Sequence, residues 1–308
     1  MRDTFVKEIT KAAEKNSKIV ILAGDIGYKL FDNFIKKFPK RFYNCGVAEA
    51  NMTTVAAGLA LKGFTPITYT IATFNVYKTV EQIKIDICYP NLGVIIVGTG
   101  SGLSYADLGS THHAIEDIGV LRSIPNLNII SPADPIELKS LIPQIIKSKK
   151  PIYLRIGKRG EKNIYKKKPK IQLFRWNKVS NGKKICIIAT GNIIIKAHEA
   201  IKEIRKDNIY PSLISAHSIK PIDKKMLMKI FKKYEYIVTL EEHSSIGGLS
   251  SAIAEFYLSQ NIKRKFLTLS TGENFIVKSG KQDEAIKMLN LTSKDIKQKI
   301  KKFLKKWK

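Results

Sequence analysis

Acid is scarce in this chain. Its 308 residues hold 26 Asp and Glu against 54 Lys and Arg, a formal net charge of +28. A surplus of that size draws anions, and nucleic acid is the first class to weigh. The basic residues are mostly Lys, spread along the whole length with clusters at 158–170 and 297–308. No aromatic-interleaved basic motif, zinc-ligand spacing or helix-turn-helix pattern goes with them. The charge reads as a composition bias that favours phosphorylated substrates or an acidic partner, and no nucleic-acid partner is expected. Cysteine is almost missing: Cys45, Cys88 and Cys186 are scattered and odd in number, which excludes a disulfide framework and fits a reducing compartment. Long hydrophobic runs are missing too. Apolar runs such as 19–23 fall far short of the roughly 20 residues of a membrane span. The first residues interleave charge with apolar side chains and lack a signal-peptide core. A cytoplasmic protein with no membrane partner is expected.

What is present is regular alternation. A hydrophobic content of 44% with 26% charged residues is ordinary for a globular chain and sufficient for two cores. Short β-rich apolar runs at 19–23, 66–70, 94–98, 128–130 and 152–156 are separated by helical patterns, including 49–61, 76–88 and 135–147. The second half repeats this, with strands at 185–189, 211–216, 236–240 and 266–269. Helices are expected at 194–206, 224–233 and 248–258, with a basic closing helix at 293–308. Such alternation predicts parallel α/β architecture. Prolines 39, 90, 125, 132 and 151 fall mostly at the joins, where a missing N–H does least harm. The charged, weakly patterned stretch 157–177 reads as a linker.

Three segments carry candidate chemistry. Gly46-Val47-Ala48-Glu49 opens a helix whose continuation, Thr53-Thr54-Val55-Ala56-Ala57-Gly58-Leu59-Ala60-Leu61, is small and apolar around nearly its whole circumference. Such a helix is expected to be packed on all sides, leaving Glu49 partly desolvated. A Glu on a first helical turn is also favoured by the macrodipole alone. Phe74 and Tyr77, ahead of Glu81-Gln82, place two aromatics three residues apart, which elsewhere is often plain core. Gly109-Ser110-Thr111-His112-His113 sets two His in a loop after a turn. Adjacent residues do not share a helical face, so a metal pair is disfavoured.

In this order, the segments resemble the transketolase-like thiamine diphosphate enzymes. So do Leu121-Arg122-Ser123-Ile124-Pro125-Asn126, Ser131-Pro132-Ala133-Asp134, Ser218-Ile219-Lys220-Pro221-Ile222-Asp223, and Glu241-Glu242-His243 through Gly247-Gly248-Leu249. The likeness runs over nearly the whole chain. It implies two parallel-sheet α/β domains: a thiamine diphosphate pyrimidine-binding domain at 1–157, a basic linker at 158–177 and a smaller transketolase C-terminal domain at 178–308. It also implies roles. Glu49 hydrogen-bonds N1′ of the cofactor's aminopyrimidine and so assists proton removal from the thiazolium. Phe74 stacks on the pyrimidine, with Tyr77 beside it. His112 reaches the reacting sugar oxygens, while the role of His113 stays open. Arg155, Lys158 and Arg159 are candidates for a substrate phosphate, since Arg forks and Lys point charges both hold phosphate.

One family element is missing. Diphosphate and Mg²⁺ are held in this family by a Gly-Asp-Gly segment followed by an Asn. This chain offers only Gly24-Asp25-Ile26-Gly27, which reads as a turn near the site rim. The resemblance is therefore to the C-terminal subunit of a split transketolase. A partner N-terminal subunit would carry the diphosphate and Mg²⁺, with no metal site in this chain, in an α2β2 heterotetramer. An obligate interface of this kind buries about 2,000–5,000 Å². Departures bear on substrate choice: Leu108 stands where a substrate-binding Asp is expected, leaving Asp107 as a substitute, and Ile71 and Lys78 replace an aromatic and an Arg. The expected reaction is transfer of a two-carbon ketol unit from a ketose to an aldose. The alternatives are a deoxyxylulose-phosphate-synthase-like or 2-oxo acid dehydrogenase β-type subunit, or a non-catalytic partner that retains the fold.

Overall fold

The computed structural model describes residues 1–165, 169–277 and 280–307. Residues 166–168, inside the expected linker, and Lys308, at the end of the expected last helix, lie outside the described residues. Twelve strands are described: β1 (Ile19–Ala23), β2 (Phe42–Asn44), β3 (Thr65–Ile71), β4 (Ile95–Thr99), β5 (Asn128–Ile130), β6 (Ile152–Ile156), β7 (Asn177–Ser180), β8 (Ile185–Ala189), β9 (Ser212–Ser215), β10 (Ser218–Lys220), β11 (Tyr236–Leu240) and β12 (Lys265–Leu269). They form a seven-stranded sheet, β10-β5-β6-β4-β3-β1-β2, and a five-stranded sheet, β12-β11-β8-β9-β7. β1, β4, β6, β8 and β11 are buried at every residue. Helices on both faces leave these strands no polar side, which is why they read as continuous apolar runs.

The expected pair of parallel-sheet α/β domains is the observed architecture, with one refinement. Each sheet carries an antiparallel edge strand, β10 on β5 and β7 on β9. The chain leaves β9 in the second sheet and enters β10 in the first after only Ala216 and His217. His217 O accepts the Ser131 N–H at 2.7 Å. The second half of the chain thus completes the first sheet. The stretch after β6 is also better anchored than a solvated linker. Asp134 caps the helix Pro135–Ser148 through the Glu137 N–H and also accepts the Ile164 N–H at 2.8 Å, while the buried Trp176 donates its indole N–H to Ser218 O at 2.7 Å.

Two helices differ from expectation. The expected helix 76–88 is broken into Ala72–Tyr77, Val80–Gln82 and a π-helical stretch Ile83–Cys88. Thr79 stands at the break, its hydroxyl donating back to Asn75 O at 2.6 Å. Such back-bonding competes with the regular ladder and bends helices. The helix Glu49–Leu61 buries Met52, Thr53, Ala56 and Ala57, yet Val55 and Leu61 are exposed. All-round packing is not achieved within one chain; a face remains open.

A buried polar network locks the two halves together. Asp117 accepts from Arg155 Nε at 2.8 Å and from the Tyr153 hydroxyl at 2.6 Å. Arg155 Nη2 reaches across to Glu242 O at 2.9 Å and to Ala114 O at 2.7 Å. Glu242 in turn accepts the Leu103 N–H at 3.0 Å. The loop bearing residues 100–116 is held from both sides, and this fixes the site described next.

Candidate active site

Parallel strands point their carboxyl ends at one rim, and ligands bind there in open α/β sheets. The helix bearing Glu49 begins just after β2, Phe74 follows β3, His112 lies in the loop after β4, and Lys158 directly follows β6. The sheet gathers them from four distant stretches of sequence.

Glu49 is the deepest member, only 2% exposed. Its Oε2 lies 3.0 Å from Lys78 Nζ. Gly24 sits against it: a Cβ there would press on Thr70 at 3.1 Å and touch Glu49 Cγ at 3.6 Å. Asn44 ties the flanking loops together. Its carbonyl oxygen accepts the N–H groups of Asp25 at 3.2 Å and Gly46 at 2.9 Å, and its amide donates to Asp25 at 3.0 Å.

From Glu49 the side chains run in a continuous row. Lys78 Nζ lies over the Phe74 ring, 5.1 Å from its centre. Phe74 meets the His112 ring edge-on, with centres 5.1 Å apart. His112 Nδ1 is 2.9 Å from the Thr111 hydroxyl, and its ring centre is 6.3 Å from that of Tyr105. Lys158 Nζ sits 4.2 Å over the Tyr105 ring and 3.4 Å from Asp107. Tyr105 holds its place because Gly100, at φ +80°, has no Cβ; one would lie 2.0 Å from the ring. Glu49, Phe74, His112, Asp107 and Lys158, all singled out from the sequence, therefore share one rim. Leu108, beside Asp107, is about half exposed.

Other expected residues stand elsewhere. The Tyr77 hydroxyl donates to Glu116 at 2.8 Å, and burial, with the Asp117 and Glu116 charges, pushes its phenol up. Arg159 lines a separate cavity of about 290 Å³ between the stretch after β6 and the second half of the chain, with Lys162, Asn192, Lys196 and Gln282. Arg155 is a correction: it is 1% exposed and its guanidinium is engaged by Asp117, Ala114 and Glu242, so it does not face the rim. His113 is buried, 3.5 Å from Ala106 O, and burial lowers its pKa. Glu241 takes the Leu249 and Ser250 N–H groups at 2.6 and 2.8 Å, capping the helix Leu249–Leu258.

Sequence reasoning passes over Lys78 as a site residue, along with Tyr105 and Asn44. Lys78 carries a signal, since it stands four residues after Phe74 and such pairs share a helix face. Asn44 carries none; its role is to join two loops that only the fold brings together. Among the described residues no group of three or more His, Cys, Asp or Glu has the geometry to hold a metal ion.

Residues 1–161 match the family model described as the transketolase pyrimidine binding domain, and 175–296 match the transketolase C-terminal domain. The chain belongs to the transketolase family. A putative transketolase C-terminal section from Methanocaldococcus jannaschii is 33% identical over 99% of this chain and 96% of its own length. A subunit of an apulose-4-phosphate transketolase from Phocaeicola vulgatus is 32% identical over 84% of each chain. A 1-deoxy-D-xylulose-5-phosphate synthase from Aquifex aeolicus is 31% identical over 98% of this chain, which spans only 48% of that enzyme. Among solved structures, one described as a split gene transketolase, inactive beta4 tetramer, superimposes with a TM-score of 0.88 at 31% identity. It covers 99% of this chain and 97% of the other. Two of these relatives are thus named as a section and as a subunit of a transketolase.

The residues present fit one half of the family's cofactor. A buried carboxylate whose paired cation lies over an aromatic ring offers a polar end and a flat face that would suit a flat nitrogen heterocycle. Thiamine diphosphate would be held here by Glu49 and Phe74.

Proposed function

We propose that this chain is the C-terminal subunit of a two-chain, thiamine diphosphate-dependent transketolase that moves a two-carbon ketol unit from a ketose, phosphorylated in this reading, to an aldose. The observation that carries this is the buried Glu49 carboxylate, joined through Lys78 to the Phe74 ring in a row that continues to His112, Tyr105 and Lys158. When bound, thiamine diphosphate supplies the nucleophilic carbon that attacks the ketose carbonyl. The rest falls to the chain. Glu49 would hydrogen-bond the ring nitrogen of the pyrimidine and share a proton with it. Phe74 provides a flat face, while Tyr77, one turn on, has its hydroxyl on Glu116. His112 donates to sugar oxygens as charge develops on them. Lys158 and Asp107, 3.4 Å apart, are assigned to the far end of the sugar, the ammonium for phosphate and the carboxylate for a hydroxyl. Arg159 would serve a phosphate only from the neighbouring cavity.

The diphosphate and Mg²⁺ are assigned to an N-terminal partner subunit in an α2β2 assembly. This is supported by the lack of Gly-Asp-Gly in the sequence and by relatives named as a C-terminal section and as a single subunit of a transketolase. A cytoplasmic setting fits three free cysteines; among the described residues no helix is long and apolar enough to cross a membrane. The decisive experiment is calorimetric titration of thiamine diphosphate with Mg²⁺ into each chain alone and into the co-expressed pair. Binding only by the pair, followed by turnover in a ketose screen, is the expected result. A pair that assembles but binds nothing would leave a fold-retaining, non-catalytic partner. A deoxyxylulose-phosphate-synthase-like reaction has its own support in the relatives of that kind. Release of CO₂ from pyruvate by the loaded pair distinguishes it.

A further inference from the structure

The cation against Glu49 sits in a revealing place. Lys78 has 49% of its side chain exposed against 2% for Glu49, and among the described residues it is the only cation paired with that carboxylate. Its ammonium is 3.0 Å from Oε2 and over the Phe74 ring, so it lies between a buried carboxylate and the face of an aromatic ring. The proposed function places a flat heterocycle in this slot, with a ring N–H directed at Glu49. The two cannot occupy it together.

We propose that Lys78 is an internal stand-in for that ring N–H, holding the slot in the empty subunit and swinging out as the pyrimidine enters. The inference rests on the proposed function. A carboxylate buried without a partner is costly, so an empty slot needs a cation that can leave. Lys suits this, because its charge rides on a flexible four-carbon stem that reaches solvent, whereas an Arg fork grips a carboxylate more rigidly. Lys78 is on this account a positioning residue that acts through Glu49. It sets cofactor affinity, because the cofactor meets only the fraction of molecules in which the slot is open.

A double-mutant cycle on cofactor binding tests this. Thiamine diphosphate with Mg²⁺ is titrated calorimetrically into the two-chain complex carrying wild-type chain, Lys78→Met, Glu49→Gln or both. Lys78→Met is expected to tighten Kd about fivefold, the worth of one partly exposed ion pair. In the Glu49→Gln background the gain is expected to shrink below about twofold, because no ion pair remains to displace. Lys78→Arg keeps the clamp and should not tighten binding. If the Met variant fails to fold, Lys78→Gln serves in its place. Unchanged or weaker binding by the Lys78 variant, or an equal gain in both backgrounds, overturns the inference alone. A wild-type complex that binds no cofactor overturns the proposed function and the inference with it.

Discussion

Glu49 and Arg155 are both buried charges, and they should fail in opposite ways when altered. Glu49→Gln keeps the shape and loses the acid. Turnover by the two-chain enzyme is expected to fall by about 10²–10⁴, with the thermal midpoint and partner association unchanged; undiminished turnover would refute the role. Arg155→Met leaves Asp117 buried without its counter-charge. Breaking a buried pair in this way costs about 3–5 kcal/mol, to be read from urea unfolding, and a loss under about 1 kcal/mol would show that the network relaxes around the change. The two residues also differ in how legible they are. Glu49, Phe74 and His112 stand in short segments that each have a plain structural reading and point to one chemistry only together and in order. Arg155 resembles a phosphate ligand because a basic residue at a strand end reads the same whether it faces a substrate or a buried acid. Its partner, Asp117, is distant in sequence, and only the fold brings the two together.

At the scale of elements, the helix Pro135–Ser148 joins the domains through one carboxylate. Glu137, fully buried, accepts the Ala133 N–H at 2.6 Å and the Ser215 hydroxyl at 3.0 Å, with the His217 ring 3.6 Å away. Burial pushes its pKa up, but the His217 ring and these donors outweigh burial and hold it below the ordinary carboxylate value of 4.5. A depressed folded pKa gives stability that is present above the unfolded value and is lost as pH falls through the folded one. Wild-type stability should therefore drop as pH falls below about 4.5, and Glu137→Gln should be less stable at pH 7 yet flatter in that window. Denaturant midpoints from pH 3 to 7 check this, and parallel curves for the two proteins would exclude Glu137 as the source. Strands in the body of each sheet are legible as apolar runs, β1, β5, β6, β8 and β11 with their observed bounds. β2, β7 and β10 are not. β7 and β10 have one apolar residue each, and β2 is only Phe-Tyr-Asn, too short to stand out as a run; an edge strand also exposes a side that needs no apolar pattern.

For the whole molecule, the net charge of +28 acts at a distance. Association with a phosphorylated sugar or with thiamine diphosphate should slow as salt rises, because the screening length shrinks from about 10 Å at 0.1 M to about 3 Å at 1 M. Stopped-flow binding across that range measures it. Single Lys→Gln changes away from the rim should each have little effect, since the charge is spread along the chain; a flat salt profile would remove long-range attraction from the account. The exchange of β10 between the halves has a consequence for how this protein is made. The last strand of the first sheet is not translated until residue 220, about 64 residues after β6 ends. At about 5–20 residues per second the open edge of β5 waits on the ribosome for roughly 3–13 s. An unpaired edge is a template for the wrong neighbour, so nascent chains of this protein have a built-in interval in which a chaperone, or another nascent chain, competes for the place that β10 will take.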